Sequence, residues 1–192
     1  TRTGLPRILD KSLPGFCGAV LAGGSSSRMG RDKAVIEYDG QPLLTHSVLA
    51  LASAGASEVF VVGRQAREIL GTPAIPDLFP GEGPLGGVIS ALTHSCEPIV
   101  AFMPCDLTNA NPLSVTKSLA ALGSADVAVP VVEGHRQWVH AVFRTTALDS
   151  LREQFSAGAR SLRAGVSELR LVEVPGGEAL WFRDADLPSD LL

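Results

Sequence analysis

An apolar run over residues 16–22 (FCGAVLA) ends at a glycine pair and opens the segment LAGGSSSRMGRDK, residues 21–33. Such a run reads as a buried strand delivering a loop. A strand apolar on both faces needs cover on both faces, which points to a parallel sheet between helical layers rather than a half-solvated antiparallel one. The pattern recurs at residues 58–62 (EVFVV) and 99–103 (IVAFM), the latter stopped by Pro104, Cys105 and Asp106. Helical patterns intervene over residues 42–54, 88–95 and 112–122, with a shorter one expected over 65–70. Residues 72–75 read as an extended segment that Pro73 and Pro76 would confine to a sheet edge.

Further on, residues 126–132 and 138–144 flank a turn at Gly134 and are expected to pair antiparallel. Residues 146–155 read as a helix, 170–174 as a strand, and the chain closes on a short apolar turn of helix. This alternation predicts an α/β domain of three layers. Its sheet is Rossmann-like and mixed, mostly parallel, with helices on both faces and right-handed crossovers. Residues 16–192 are expected to form one domain and residues 1–15 an N-terminal tail.

Hydrophobic residues make up 45% of the chain and aromatics only 5%, so the core is expected to be aliphatic. The net charge of −4 gives no electrostatic reason to expect a nucleic acid partner. No apolar run is long enough to cross a bilayer, and no signal-peptide segment is recognisable at the start. Cys17, Cys96 and Cys105 lack zinc-type spacing and read as buried free thiols, which suits a reducing cytoplasm.

Ligands of open α/β sheets bind beyond the carboxyl ends of the strands, and three sequence features fall there. In the first, Gly23 and Gly24 allow a sharp turn whose amides can cradle phosphate oxygens. Ser25, Ser26 and Ser27 add donors, and Arg28 and Lys33 add positive charge. A nucleoside triphosphate, and still more its leaving pyrophosphate, calls for that mixture. The spacing is neither that of a Walker loop nor that of a Rossmann dinucleotide fingerprint. The second feature is Asp106, a carboxylate just past a buried strand and placed to hold Mg²⁺; the bland alternative is a turn or cap aspartate. The third is residues 77–87, in which Asp77 can accept from a base edge or a ribose hydroxyl. There Gly86 and Gly87 would permit close approach by a flat ring or a sugar.

Taken together these residues resemble the signature of the MobA-like nucleotidyltransferases, LAGG-x-S-x-R-M-G-x-D-K, at every fixed position. GPLGGVISAL, MPCD, RQWVHAVFR, AGARSLRAGVSEL and FRDADLPSDLL are similar to segments of the molybdenum cofactor guanylyltransferase family in the same order. The resemblance spans residues 17–192 and implies a fold of the nucleotide-diphospho-sugar transferase type. It also implies a reaction: GMP passes from GTP to the phosphate of molybdenum-carrying molybdopterin, with release of pyrophosphate. It further implies delivery of the finished cofactor to molybdoenzymes.

Under that resemblance Leu21, Ala22 and Gly23 line the base and ribose, and Gly24, Arg28 and Lys33 meet the phosphates. Asp77 contacts the nucleoside and Asp106 holds Mg²⁺, with Asp186 as a weaker second ligand. Arg28, Lys33 and Asp106 are the residues expected to carry the chemistry. His140, Arg160 and Arg163 fall in the half expected to face the pterin, although His140 suits a buried, hydrogen-bonded structural role as well. Trp138 and Val139 replace the family's Pro-Leu, Leu187 replaces a threonine, and Asp184 and Asp186 stand where asparagines are common. The phosphate loop alone does not separate GTP from CTP, nor a pterin from a sugar or alditol phosphate acceptor.

Overall fold

The structure is a computed structural model that describes residues 14–23, 36–63, 68–69 and 71–185. Its main sheet is built on β1 (Phe16–Leu21), which is flanked in parallel by β4 (Glu58–Val62) and β7 (Ile99–Pro104). β6 (Thr72–Ile75) continues the parallel order beyond β4. On the other side β10 (Val142–Arg144) lies antiparallel between β7 and β8 (Val127–Val132), and β11 (Leu171–Pro175) runs parallel to β8. The order is β11-β8-β10-β7-β1-β4-β6-β5, where β5 is Glu68–Ile69. A separate small hairpin joins β2 (Glu37–Tyr38) to β3 (Gln41–Pro42).

The side chains alternate as a doubly covered sheet demands. Cys17 and Ala19 of β1, Phe60 and Val62 of β4, and Val100 and Phe102 of β7 face one layer. That layer contains α2 (Pro84–His94), α4 (Leu148–Ser156) and α5 (Leu162–Gly165), which contribute Leu85, Val88, Ile89, Leu151 and Leu162. Phe16 and Val20, Val61, and Ala101 and Met103 face the opposite layer. There α1 (Leu43–Ser53) and α3 (Pro112–Ala121) bury Leu44, Leu51, Val115 and Leu119. The three-layer, mostly parallel architecture is therefore as expected.

Four local expectations change. The helix foreseen over 65–70 gives way at Glu68–Ile69 to β5, which pairs antiparallel with β6. β6 is consequently not the sheet edge; β5 lies outside it, opposite Pro73 through Glu68. The turn at Gly134 joins β8 first to β9 (His135–Arg136), and Trp138–His140 forms a 3₁₀ turn before β10 returns to pair with β8. Among the cysteines Cys17 is buried, Cys105 is half-buried and Cys96 is exposed. Among the described residues no helix is long and apolar enough to cross a membrane. The expected tail up to residue 13 lies outside the described residues, as do residues 186–192; before them Ala179–Phe182 forms a short apolar 3₁₀ turn.

Candidate active site

The carboxyl ends of β1, β4, β6 and β7 meet on one rim of the sheet. Backbone ladders run past the strands and keep this rim in register. Ala22 N–H donates to the Val62 carbonyl at 2.9 Å, Gly63 N–H to the Ile75 carbonyl at 3.3 Å, and Cys105 N–H to the Leu21 carbonyl at 3.2 Å. The exits of β1 and β4 touch backbone to backbone. A Cβ on Gly63, whose φ is +102°, would stand 2.8 Å from Gly23 N. Only glycine suits that conformation and that contact.

Asp77 follows β6 and faces this junction. Its Oδ1 accepts from Phe79 N–H at 2.9 Å and from the Ser90 hydroxyl at 3.0 Å. Its Oδ2 is turned toward Gly23, where an added Cβ would lie 3.7 Å away. Leu21 closes the near side, its Cδ2 3.3 Å from where a Cβ on Gly87 would stand. The two glycines at the start of α2 also serve packing: Gly87 makes room for Leu21, and Gly86 for Phe79, whose Cβ would be 2.8 Å from one added there. Helix α2 also begins earlier than expected, at Pro84 in its favoured first-turn position, after Gly83 at φ 90°.

Asp106 is half-buried in the turn that leaves β7. On one side Ser47 of α1, fully buried, donates its hydroxyl to the Pro104 carbonyl at 2.7 Å. On the other, the segment 183–185 runs antiparallel to 106–108. Ala185 N–H donates to the Asp106 carbonyl at 2.8 Å, Thr108 N–H to the Arg183 carbonyl at 3.3 Å, and Asp184 bridges Leu107. That contact brings a second carboxylate-bearing residue, Asp184, beside the Asp106 turn. Among the described residues no cluster of three His, Cys, Asp or Glu side chains gathers here. A rim offering one or two carboxylates fits Mg²⁺, a hard cation that takes its remaining oxygens from water and substrate phosphates.

Leu21, Ala22, Gly23, Asp77 and Asp106 are therefore brought together, whereas Gly24, Arg28, Lys33 and Asp186 lie outside the described residues. The three residues assigned to the pterin half are spread differently. His140 is 4% exposed and meets the edge of Phe182 with ring centroids 4.7 Å apart. Among the described residues its Nδ1 has no hydrogen-bond partner, and burial pushes its pKa down to about 3. The side chain is buried as the structural reading expected, but not hydrogen-bonded at Nδ1. Arg160 pairs with Glu82 at 2.5 Å, donates to the Phe155 and Ala159 carbonyls, and stacks on the Phe155 ring. Its own carbonyl receives Leu85 N–H at 3.2 Å, so it ties α2 to the loop before α5. Arg163 is exposed on α5.

Sequence reasoning missed Ser47 and Ser90. Each is a small polar residue inside an apolar helix, and that is the only signal either leaves in the sequence.

The MobA-like NTP transferase domain matches residues 18–173 of this chain. A molybdenum cofactor guanylyltransferase of Bordetella petrii is 33% identical, with 96% of this chain and 98% of the relative covered. A probable molybdenum cofactor guanylyltransferase of Chloroflexus aggregans is 37% identical over 85% of this chain and 81% of the relative. Among solved structures, the molybdopterin-guanine dinucleotide biosynthesis protein A of Archaeoglobus fulgidus superposes with a TM-score of 0.75 at 21% identity. It covers 91% of this chain and 94% of its own, and shares the fold. The family match over residues 18–173, with relatives matched along most of the chain, makes this protein a nucleotidyltransferase of the MobA-like NTP transferase domain family.

Proposed function

We propose that this protein transfers GMP from GTP to molybdenum-carrying molybdopterin and releases pyrophosphate. The observation that carries the reading is the convergence of Leu21–Gly23, Asp77 and Asp106 on one rim of the sheet. The names of the Bordetella petrii and Chloroflexus aggregans relatives support the choice of substrates. The acceptor's phosphate oxygen attacks the α-phosphorus in line and forms a new P–O bond. The bond from the α-phosphorus to the bridging oxygen breaks, and pyrophosphate leaves with the electron pair. A phosphate monoester is already anionic at neutral pH, so no protein base is required.

In this reading Leu21, Ala22 and Gly23 bound the nucleoside and Asp77 accepts from it. Gly24, Arg28 and Lys33 bind the phosphates and stabilise charge on the leaving group. Asp106, seconded by Asp186, holds Mg²⁺, which when bound supplies positive charge at the triphosphate. His140, Arg160 and Arg163 belong to the acceptor half. Arg160 acts there through the Glu82 pair, and Arg163 offers an exposed cation. We propose a cytoplasmic setting, where free thiols persist, with molybdoenzymes receiving the product.

Calorimetric titration of GTP, CTP, ATP and UTP, with and without Mg²⁺, tests the reading. It predicts selective GTP binding strengthened by Mg²⁺. Selective CTP binding would move the protein to a cytidylyl transfer, and binding of no triphosphate would remove the phosphate role of residues 21–33.

A further inference from the structure

Ser90 lies on α2 with 2% of its surface exposed, and its hydroxyl serves three groups. It accepts Leu78 N–H at 2.9 Å and stands 3.0 Å from Asp77 Oδ1 and 2.8 Å from the Gly86 carbonyl. A hydroxyl has one proton to give, so the carboxylate and the helix carbonyl share it. The helix carbonyl alone would satisfy Ser90; the contact to Asp77 is additional. The carboxyl torsion of an aspartate is broad and two-fold, so the Phe79 N–H bond by itself leaves the plane of the group loosely defined. With a second donor on the same oxygen, rotation breaks both bonds together. Oδ1 is held, and Oδ2 is the oxygen left facing Gly23.

We propose that Ser90 is a positioning residue for nucleoside recognition, fixing the Asp77 carboxylate so that Oδ2 is the acceptor presented to the nucleoside. This rests on the reading of Asp77 as a nucleoside contact. It also explains why a buried hydroxyl sits in an otherwise apolar stretch of α2. The helix whose first turn packs on Leu21 also orients Asp77, so both walls of the nucleoside site are referenced to one rigid element.

The test is a binding cycle with Mg²⁺ present. Affinities for GTP and for inorganic tripolyphosphate are measured in the wild type, Ser90→Ala, Asp77→Ala and the double variant, with thermal melting as the fold check. Tripolyphosphate reports the phosphate loop without the nucleoside. Ser90→Ala is expected to weaken GTP about tenfold, as loss of a bond to a charged group does, and to leave tripolyphosphate unchanged. On the Asp77→Ala background it is expected to add no further loss. Unchanged GTP affinity, an equal loss for tripolyphosphate, or additive losses would each overturn the role of Ser90. Asp77→Ala binding GTP as the wild type does would instead overturn the nucleoside contact beneath it. Should Ser90→Ala fail to fold, Ser90→Cys is read by the same criteria, since it keeps the packing and gives only a weak donor.

Discussion

Ser47 on α1 donates its hydroxyl to the Pro104 carbonyl at 2.7 Å, two residues before Asp106. That carbonyl ends β7 opposite Leu21, so one buried side chain pins the exit of the strand that carries the candidate metal carboxylate. Ser47→Ala leaves a carbonyl without its donor and is expected to cost about 1–2 kcal/mol of stability. Denaturant unfolding reads the cost. The Mg²⁺ concentration for half-maximal turnover should rise as well; a loss of stability with unchanged Mg²⁺ dependence would limit Ser47 to packing.

The junction of Gly63 with Gly23 makes a second point of sensitivity. Gly63→Ala forces a side chain into a left-handed conformation and against backbone at 2.8 Å. Neither partner has a flexible end that can yield, so a destabilisation of about 2 kcal/mol or more is expected. GTP affinity should fall with it, because Gly23 is part of the same contact. A variant with wild-type melting temperature would contradict the described approach of β1 and β4.

His140 makes stability depend on pH. Its folded pKa of about 3 lies below the ordinary 6.5, so the unfolded chain takes up a proton first as the pH falls. Stability is complete above about 6.5 and is lost from there down toward about 3, at up to about 1.4 kcal/mol per pH unit. His140→Leu removes both this slope and the unpartnered Nδ1. Urea unfolding between pH 7 and 5 should show a steeper decline in the wild type than in the variant.

At the other end of the sheet Asp126 binds Arg170 through both carboxylate oxygens, at 3.0 Å and 2.9 Å, and also accepts Arg170 N–H at 3.1 Å. The Arg170 side-chain hydrogen bonds hold the Asp126 carboxyl below the usual carboxylate range. This contribution is therefore complete above the unfolded carboxylate pKa and disappears as the pH drops through the folded one. Arg170 is 69% exposed, so solvent screening keeps this contribution small. Asp126→Asn should lose it at pH 7 and show little loss in strong acid, with added salt shrinking the difference.

What the sequence reveals and what it hides follow from the range of the contacts involved. β1, β4 and β7 are legible because strands covered on both faces must be apolar throughout, and Pro104 marks where the last one stops. The positions of Leu21–Gly23 and Asp106 at strand ends are legible because an apolar run stopped by glycine or proline marks where a buried strand ends. β5 is hidden because two residues carry no period; its pairing with β6 is a tertiary fact. The packing of Gly86 on Phe79 and of Gly87 on Leu21 is hidden, since a glycine that admits a ligand and one that admits a side chain look alike in sequence. The hydroxyls of Ser47 and Ser90 act across 57 and 13 residues of chain. Nothing near them in the sequence reports where they end. Asp184 reaches the Asp106 turn only because the C-terminal segment pairs with residues 106–108.

The most direct test of the account is pyrophosphate release from GTP with molybdenum-carrying molybdopterin as acceptor, comparing wild type, Asp106→Ala and Lys33→Ala. The account predicts Mg²⁺-dependent release in the wild type, matched by formation of the guanine dinucleotide. Both variants should lose about a hundredfold or more in rate, as loss of a group that stabilises transition-state charge does, with Asp106→Ala still folded. Pyrophosphate release that is independent of the acceptor, or that survives intact in Asp106→Ala, would contradict it.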